Sequence, residues 1–353
     1  MKPLLDRRHR PVSQGLDAPS NHSGPRGIAG TWGKVLGSGV VPALVGLIAV
    51  SVGLSFSGAH FASAANGVAI GYYAAIVGLL TIGETIVLIT GGVDLSTGPL
   101  LGVSGMTGAV VILNGHASPA LGILACLGTG LVGGVANGLL VAYARITPLI
   151  ATLGVGSVAT GCTLLLSKGG NTLAPLPAAY TWFGSATIGI VPVLLIGVVV
   201  LYIAGEMALR RTVFGRDLYS IGGNVKAAIL AGIPRNRRLL TLYALAGLCY
   251  GVAGLAETGF LDAATSAAGQ SQILPPIAAA VIGGVALVGG RGSLLGALVG
   301  VVFVATIEDG MAILNIASSY TPIVYGLVVV AAVGLGSIQG GSFLRRNSTG
   351  GSG

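Results

Sequence analysis

Residues 81–98 read TIGETIVLITGGVDLSTG, and their reading decides the fold. Two carboxylates, Glu84 and Asp94, stand in a stretch otherwise free of charge, with Gly91 and Gly92 between them. Pro99 follows directly; it lacks an N–H and fits the first turn of a helix. One helix is therefore expected to end near the glycine pair. A second is expected to start at Ser96 or Thr97, either of which can cap it. Asp94 then lies just before a helix start, where the helix dipole favours an anion. Two readings stay open for Asp94 and Ser96. They can satisfy donors at a helix end, or belong to a broken element lining a path through a membrane, because irregular backbone at membrane depth is tolerated only beside a cavity or inside protein. Glu84 reads separately. It lies within the preceding apolar run, where an acid is a functional candidate by default; the alternative is a place near the inner interface, paired with a base or with water.

The surroundings make this a membrane chain. The 353 residues have a mean hydropathy of +0.90 and are 8% charged, against about 25% in a soluble domain. Neither 35–83 nor 95–144 contains a Lys, Arg, Asp or Glu. A crossing helix needs roughly 20 apolar residues, so each stretch has room for two spans. The alternation of a membrane β-barrel is absent, which leaves an all-α, polytopic transmembrane helical bundle. The 61 glycines suit close helix approach in lipid. Gly130, Gly134 and Gly138, and again Gly292, Gly296 and Gly300, recur at a spacing that puts each series on one helix face. Cys126, Cys162 and Cys249 lie far apart in apolar stretches and read as buried thiols, with no disulfide or metal framework. His9, His22, His60 and His116 form no ligand pattern.

Charge sets the expected orientation. Lys2, Arg7, Arg8, Arg10, Arg26 and Lys34 precede the first apolar run; Arg210, Arg211, Arg216, Lys226, Arg235, Arg237 and Arg238 fall in 206–238; Arg345 and Arg346 close the chain. These regions are expected on the cytoplasmic side, with Arg145 and Arg291 beside them and Lys168 outside. The net charge of +8 follows from this clustering beside spans and gives no reason to expect nucleic acid. Ten spans fit the pattern: about 36–56, 67–90, 98–114, 120–142, 148–167, 186–205, 239–257, 273–289, 293–309 and 321–340. Both termini then face the cytoplasm. Residues 1–34 read as a disordered basic tail, 35–340 as the transmembrane domain with its large cytoplasmic loop at 206–238, and 341–353 as a second tail. The polar stretch before the first apolar run argues for a retained span rather than a cleaved signal peptide. The outside loop 168–184 carries Tyr180 and Trp182, as a membrane boundary would.

Two further stretches carry signals. In TVFGRDLYSIGGNVKAAILAGIP (212–234), Asn224 can cap a short helix after Gly222 and Gly223, and Gly232 and Pro234 can stop it. Its small apolar face of Ala227, Ala228 and Ala231 suits docking into a partner better than lying on a membrane surface. In GGVALVGGRGSLLGALVG (283–300), Gly289 and Gly290 interrupt the chain and a new helix is expected from Ser293. The glycine pair followed by Leu-Leu-Gly occurs both here and at 91–102, which suggests distant internal repeats broken at matching places. None of Lys34, Lys168 and Lys226 has the glycine spacing of a Walker-type phosphate cradle.

Taken in order, LITGGVDLSTG (88–98), ANGLLVAYARITPLIATLG (136–154), GRDLYSIGGNVKAAILAGI (215–233) and AAAVIGGVALVGGRGSLLGALVG (278–300) resemble the permease subunit of bacterial ABC importers for monosaccharides of the ribose/xylose/galactose type. The resemblance covers roughly 65–340. It implies a multi-pass protein of the bacterial inner membrane, surrounded by lipid. It also implies a second permease copy or homologue, cytoplasmic ATPase subunits that bind ATP and magnesium, and an extracytoplasmic sugar-binding protein. No catalysis and no cofactor is then expected in this chain. By position, Gly215, Gly222, Gly223, Asn224, Ala227, Ala228 and Gly232 fall in what resembles the ATPase-coupling element. Glu84, Gly91, Gly92, Asp94 and Ser96 fall in or beside the pore-side signature. The chain departs from the family where Glu-Leu-Asp is usual, reading Gln272-Ile273-Leu274-Pro275-Pro276, and where GGTSLFGG is usual, reading GGVALVGG. The expected cargo is a pentose or hexose. A nucleoside or autoinducer-2 permease is the nearest alternative, and a stand-alone proton- or ion-coupled transporter using Glu84 and Asp94 is the alternative outside the class.

Overall fold

The structure, a computed structural model, describes residues 40–57, 61–331 and 334. The tails expected at 1–34 and 341–353 lie outside the described residues. The chain forms helices α1 (Val40–Phe56), α2 (Ala64–Ile89), α3 (Thr97–Leu113), α4 (Pro119–Ala142), α5 (Pro148–Leu166) and α6 (Ala178–Ser185). A hairpin of β1 (Thr187–Ile188) and β2 (Val191–Pro192) follows. Then come α7 (Val193–Arg211), α8 (Val213–Gly223), α9 (Val225–Leu230), α10 (Arg235–Leu261), α11 (Leu274–Ile282), α12 (Leu294–Ile313) and α13 (Ser318–Ala331), whose first turn is 3-10. Among the described residues, six of these helices are long and apolar enough to cross a membrane: α2, α4, α5, α7, α10 and α12. Helices α1, α3 and α13 are apolar but shorter.

Local chemistry sets the helix starts. Ser63, Ser118 and Ser293 each accept a hydrogen bond from the backbone N–H three residues on, and Pro119 and Pro148 open their helices. Helix α2 forms the centre, buried without interruption from Ala74 to Ile89. Helices α4 and α10 cross closely: a Cβ on Gly130 would overlap Gly247 O, and one on Gly247 would stand 2.6 Å from the Gly134 Cα. The Gly130–Gly138 series is thus a packing face, as small residues provide in lipid.

Several expectations are corrected. The span expected at 273–289 is a nine-residue helix, α11, about 13 Å long and too short to cross. Gly284, at φ +89, turns the chain before the apolar Val285–Val288 can extend it. The span expected at 186–205 opens with the hairpin, and its helix runs on to Arg211. The loop expected at 206–238 is mostly helical. The loop expected outside, at 168–184, folds partly into α6, which buries Tyr180 completely while Trp182 and Phe183 stay exposed. Cys126 is buried, but Cys162 is exposed on α5 and Cys249 half-buried. Gly292 lies before α12 with φ +146, so only Gly296 and Gly300 of its series share a helix.

Candidate translocation and coupling site

After α2 ends, Gly91 takes φ +81 and turns the chain, and the Gly92 N–H returns to Val87 O at 3.2 Å. The next residues run back beside α2 outside any helix. The Asp94 N–H therefore reaches Glu84 Oε1 at 3.3 Å. The Leu95 N–H donates to Thr152 Oγ1 of α5 at 3.0 Å, and the Ser96 N–H to Asp94 Oδ1 at 2.8 Å. Thr152 Oγ1 also lies 3.3 Å from Val93 O. Tyr250 of α10 donates to Asp94 Oδ2 at 3.2 Å; Ser96 Oγ donates to Asp94 Oδ1 at 2.5 Å and accepts from Asn137 Nδ2 of α4 at 2.8 Å. Side chains of four helices thus satisfy a non-helical segment inside the bundle, the condition for irregular backbone in a membrane protein.

The structure joins what the sequence separates. Glu84 and Asp94 belong to one clasp, and Glu84 holds a backbone N–H rather than a base: the ion pairs among the described residues are Arg210–Glu206 and Arg238–Asp217. Glu84, Asp94, Ser96 and Thr97 are fully buried. Ser96 occupies the N-cap of α3, yet its hydroxyl serves Asp94 instead of the helix, and Thr97 Oγ1 donates to Gln272 O at 3.2 Å. Asn137, Thr152 and Tyr250 were not foreseen as members. Their signal was weak: each is a polar residue within an apolar run. Glu84 Oε2, Asn137 Oδ1 and the Tyr243 hydroxyl are buried with no protein partner among the described residues.

The second element is the elbow α8–α9 at the basic end. Thr212 caps α8 by accepting from the Gly215 N–H at 3.2 Å, and Gly215 sits so tightly over Leu209 that a Cβ there would overlap its carbonyl. Asn224 caps α9 as expected, its Oδ1 accepting from the Ala227 N–H at 3.0 Å. Gly232, at φ +79, ends the turn after α9. Ala228 faces inward and is buried, and Ala227 remains exposed. The outward face also carries the larger Val225, Ile229 and Leu230, the last 89% exposed.

The elbow rests on both helix breaks at once. A Cβ on Gly222 would overlap Ile89 O, at the end of α2, and stand 2.5 Å from the Gly290 nitrogen. The Gly290 N–H donates to Ile89 O at 2.8 Å. A Cβ on Gly289 would stand 2.7 Å from the Gly91 nitrogen. Three glycine pairs, 91–92, 222–223 and 289–290, therefore meet backbone to backbone. Around them, Tyr219 donates to Gly292 O at 2.8 Å. Burial and the Glu206 carboxylate push the Tyr219 hydroxyl up to about 12, so it stays a donor. Glu206 pairs with Arg210 and accepts from the Leu294 and Leu295 N–H groups at 2.7 and 3.4 Å, the first donors of α12. Arg238 Nε on Asp217 Oδ2, at 2.7 Å, ties α8 to α10.

Residues 66–333, which contain the clasp and the joint, match the family described as the permease component of a branched-chain amino acid transport system. The chain belongs to this permease family. It is 38% identical over 261 residues to the ribose import permease protein of Bacillus subtilis (strain 168), covering 73% of this chain and 80% of that protein. It is 32% identical over 295 residues to the D-allose transport system permease protein of Escherichia coli (strain K12), covering 82% and 88%. It is 32% identical over 310 residues to the fructose import permease protein of Rhizobium meliloti, covering 83% and 85%. No solved structure matches. With six long apolar helices and this membership, the protein is a multi-pass inner-membrane permease component.

Proposed function

We propose that this chain is the translocating subunit of an ATP-driven importer that carries a monosaccharide into the cytoplasm. The observation that carries the reading is the glycine joint, through which a docking elbow bears on both broken segments of the bundle. The family's description names branched-chain amino acids, whereas the three relatives are named for ribose, D-allose and fructose. Their identity over most of the chain favours a sugar.

In this reading the permease crosses the membrane ten times, with nine helices and, as the tenth crossing, the non-helical residues 262–273 continued by the half-length α11, and both termini face the cytoplasm. The basic residues of α7 to α10 support the placement of the elbow on that side. ATP and magnesium belong to separate ATPase subunits, an external binding protein delivers the sugar, and a second permease copy completes the path. Val225, Ile229 and Leu230 supply the apolar contact for the ATPase. Closure of the ATPase pair moves the elbow, and the joint passes that movement to the breaks. The residues at 91–96 hold the α2–α3 break in shape and perform no chemistry on the cargo.

The test is uptake of labelled sugar by cells producing this chain with its ATPase and binding protein, beside Leu230→Glu and Gly223→Glu variants. Leu230 is exposed and a Cβ added at Gly223 would meet open space, so neither change should disturb the fold. Loss of uptake and of ATPase copurification at unchanged permease level is expected. Normal uptake in both variants, or uptake that needs no ATPase, refutes the reading.

A further inference from the structure

The segment between α10 and α11, residues 262–273, is held at both ends. At its start, Leu173 and Ala264 exchange backbone hydrogen bonds at 2.9 and 3.0 Å, and the Leu176 N–H donates to Asp262 Oδ1 at 2.9 Å. The chain then lies along α3: a Cβ on Gly102 would overlap Ala268 O, and one on Gly98 would overlap Gly269 O. At the far end Thr97 Oγ1 holds Gln272 O.

Its depth follows from helix register. Helices α3 and α10 run parallel, since Asp94 meets Tyr250 while Gly105 packs on Gly254 and Thr258. Gly98 lies seven residues before Gly105, and Gly254 seven before Leu261 at the end of α10. At 1.5 Å per residue the segment descends about 20 Å below that end, within a hydrocarbon layer about 30 Å thick. Gln270 and Ser271 are exposed at this depth. A polar, non-helical segment there cannot face lipid and must face water or protein.

A cavity of about 120 Å³ opens beside it, lined by Thr160 and Thr163 of α5, Ser266, Gln270, Pro99 and Ile273 among others. None of its lining residues is ionisable. Thr160 and Thr163 spend their hydroxyl protons on Gly156 O and Ala159 O, at 3.1 and 2.9 Å, which leaves acceptor lone pairs. Gln270 adds an amide that both donates and accepts, while Pro99 and Ile273 supply apolar surface. Such a set matches hydroxyl groups on an apolar ring face. It offers hydrogen bonds but no opposite charge to the ammonium and carboxylate of an amino acid, and burying charges without charged partners is costly.

We infer that residues 262–273 and the facing side of α5 line the aqueous substrate path, and that the cavity at Gln270 is a station for a neutral polyhydroxylated substrate. The inference rests on the permease reading and names where its cargo sits. The test uses the full chain with its partners in whole cells, with the exposed Cys162 changed to serine. Gln270→Cys and Ser266→Cys are expected to react with a membrane-impermeant maleimide, while Leu165→Cys, 79% exposed on α5, is not. Ribose, allose or fructose at its half-saturating concentration should slow the reaction at Gln270→Cys about twofold, and leucine should not. No labelling at Gln270→Cys in cells that still take up sugar overturns the aqueous placement and leaves the permease reading standing. Labelling slowed by leucine alone overturns the neutral substrate class, and labelling that no solute slows overturns the station. Absence of uptake by the unchanged protein counts instead against the permease reading.

Discussion

Replacing Asp94 separates a clasp from a proton site. Three donors end on this carboxylate: the Ser96 N–H, the Ser96 hydroxyl and the Tyr250 hydroxyl. All belong to fully buried residues, so Asp94→Ala leaves three groups without acceptors. Each orphaned group costs about 1–3 kcal/mol, about 3–9 kcal/mol together. The Tyr250 bond joins two segments of the bundle, and interhelical bonds in lipid average about 0.6 kcal/mol; with the two Ser96 groups at about 1 kcal/mol each the lower bound is about 2.6 kcal/mol. Against a typical total of about 5–15 kcal/mol, the alanine variant should be largely unfolded or degraded. Asp94→Asn behaves differently. Its Oδ1 still accepts from Ser96, and its amide can donate to the Tyr250 oxygen once that hydroxyl turns, at a cost of about 1 kcal/mol. The assay is thermal loss of the monodisperse protein in detergent, paired with labelled sugar uptake at matched protein level across pH. The clasp predicts a large loss for alanine, a small loss for asparagine and an unchanged pH profile for asparagine. Alanine within about 0.5 kcal/mol of the parent protein, the range of an ordinary surface change, would refute the clasp. Abolished uptake in a well-folded asparagine variant would return Asp94 to the role of a titrating site.

Gly222→Val puts side-chain atoms onto Ile89 O and the Gly290 nitrogen. Because both obstacles are backbone, the cost should reach the upper end of the about 1–3 kcal/mol of overpacking, with uptake falling while the ATPase still copurifies; unchanged uptake would show that the joint does not carry the coupling. Tyr219→Phe removes the donor to Gly292 O and should cost about 0.5–1.5 kcal/mol in detergent melts. With the hydroxyl raised from 10.0 to about 12, the contribution is complete below pH 10 and fades as pH rises through about 12. The gap between parent and variant should therefore stay constant near neutrality, and a gap that changes there contradicts the assignment.

What the sequence made legible was local. Pro99, the glycine pairs and Asn224 act on their own backbone, and the breaks and the α9 cap stand where those residues put them. Long apolar runs likewise marked the spans. Contacts between distant segments were not legible. Asp94 meets Asn137 through Ser96 and Tyr250 directly, and no local pattern couples positions 41 and 156 residues apart. Hydropathy also cannot register a turn inside an apolar run, so Val285–Val288 made α11 read as a full span. Which face of α9 points outward depended on how Ala228 seats against the body of the protein, a tertiary fact.

The two breaks are held differently, and the difference gives the joint a direction. The α2–α3 break is fixed by side chains of α2, α4, α5 and α10. The break before α12 is fixed from the elbow side, by Glu206 of α7 on the first N–H groups of α12 and by Tyr219 of α8 on Gly292 O. Gly222 touches both through backbone, with no flexible side chain between to absorb a displacement. Movement of α8 should therefore displace the α11–α12 pair against a comparatively fixed α2–α3 pair. Helix α11 continues directly from residues 262–273, so the same displacement acts on Ile273 and Gln270 at the cavity. In the proposed importer, the path from ATPase to cargo then runs through α8, Gly290 and α11, while Asp94 and its partners supply the stationary side.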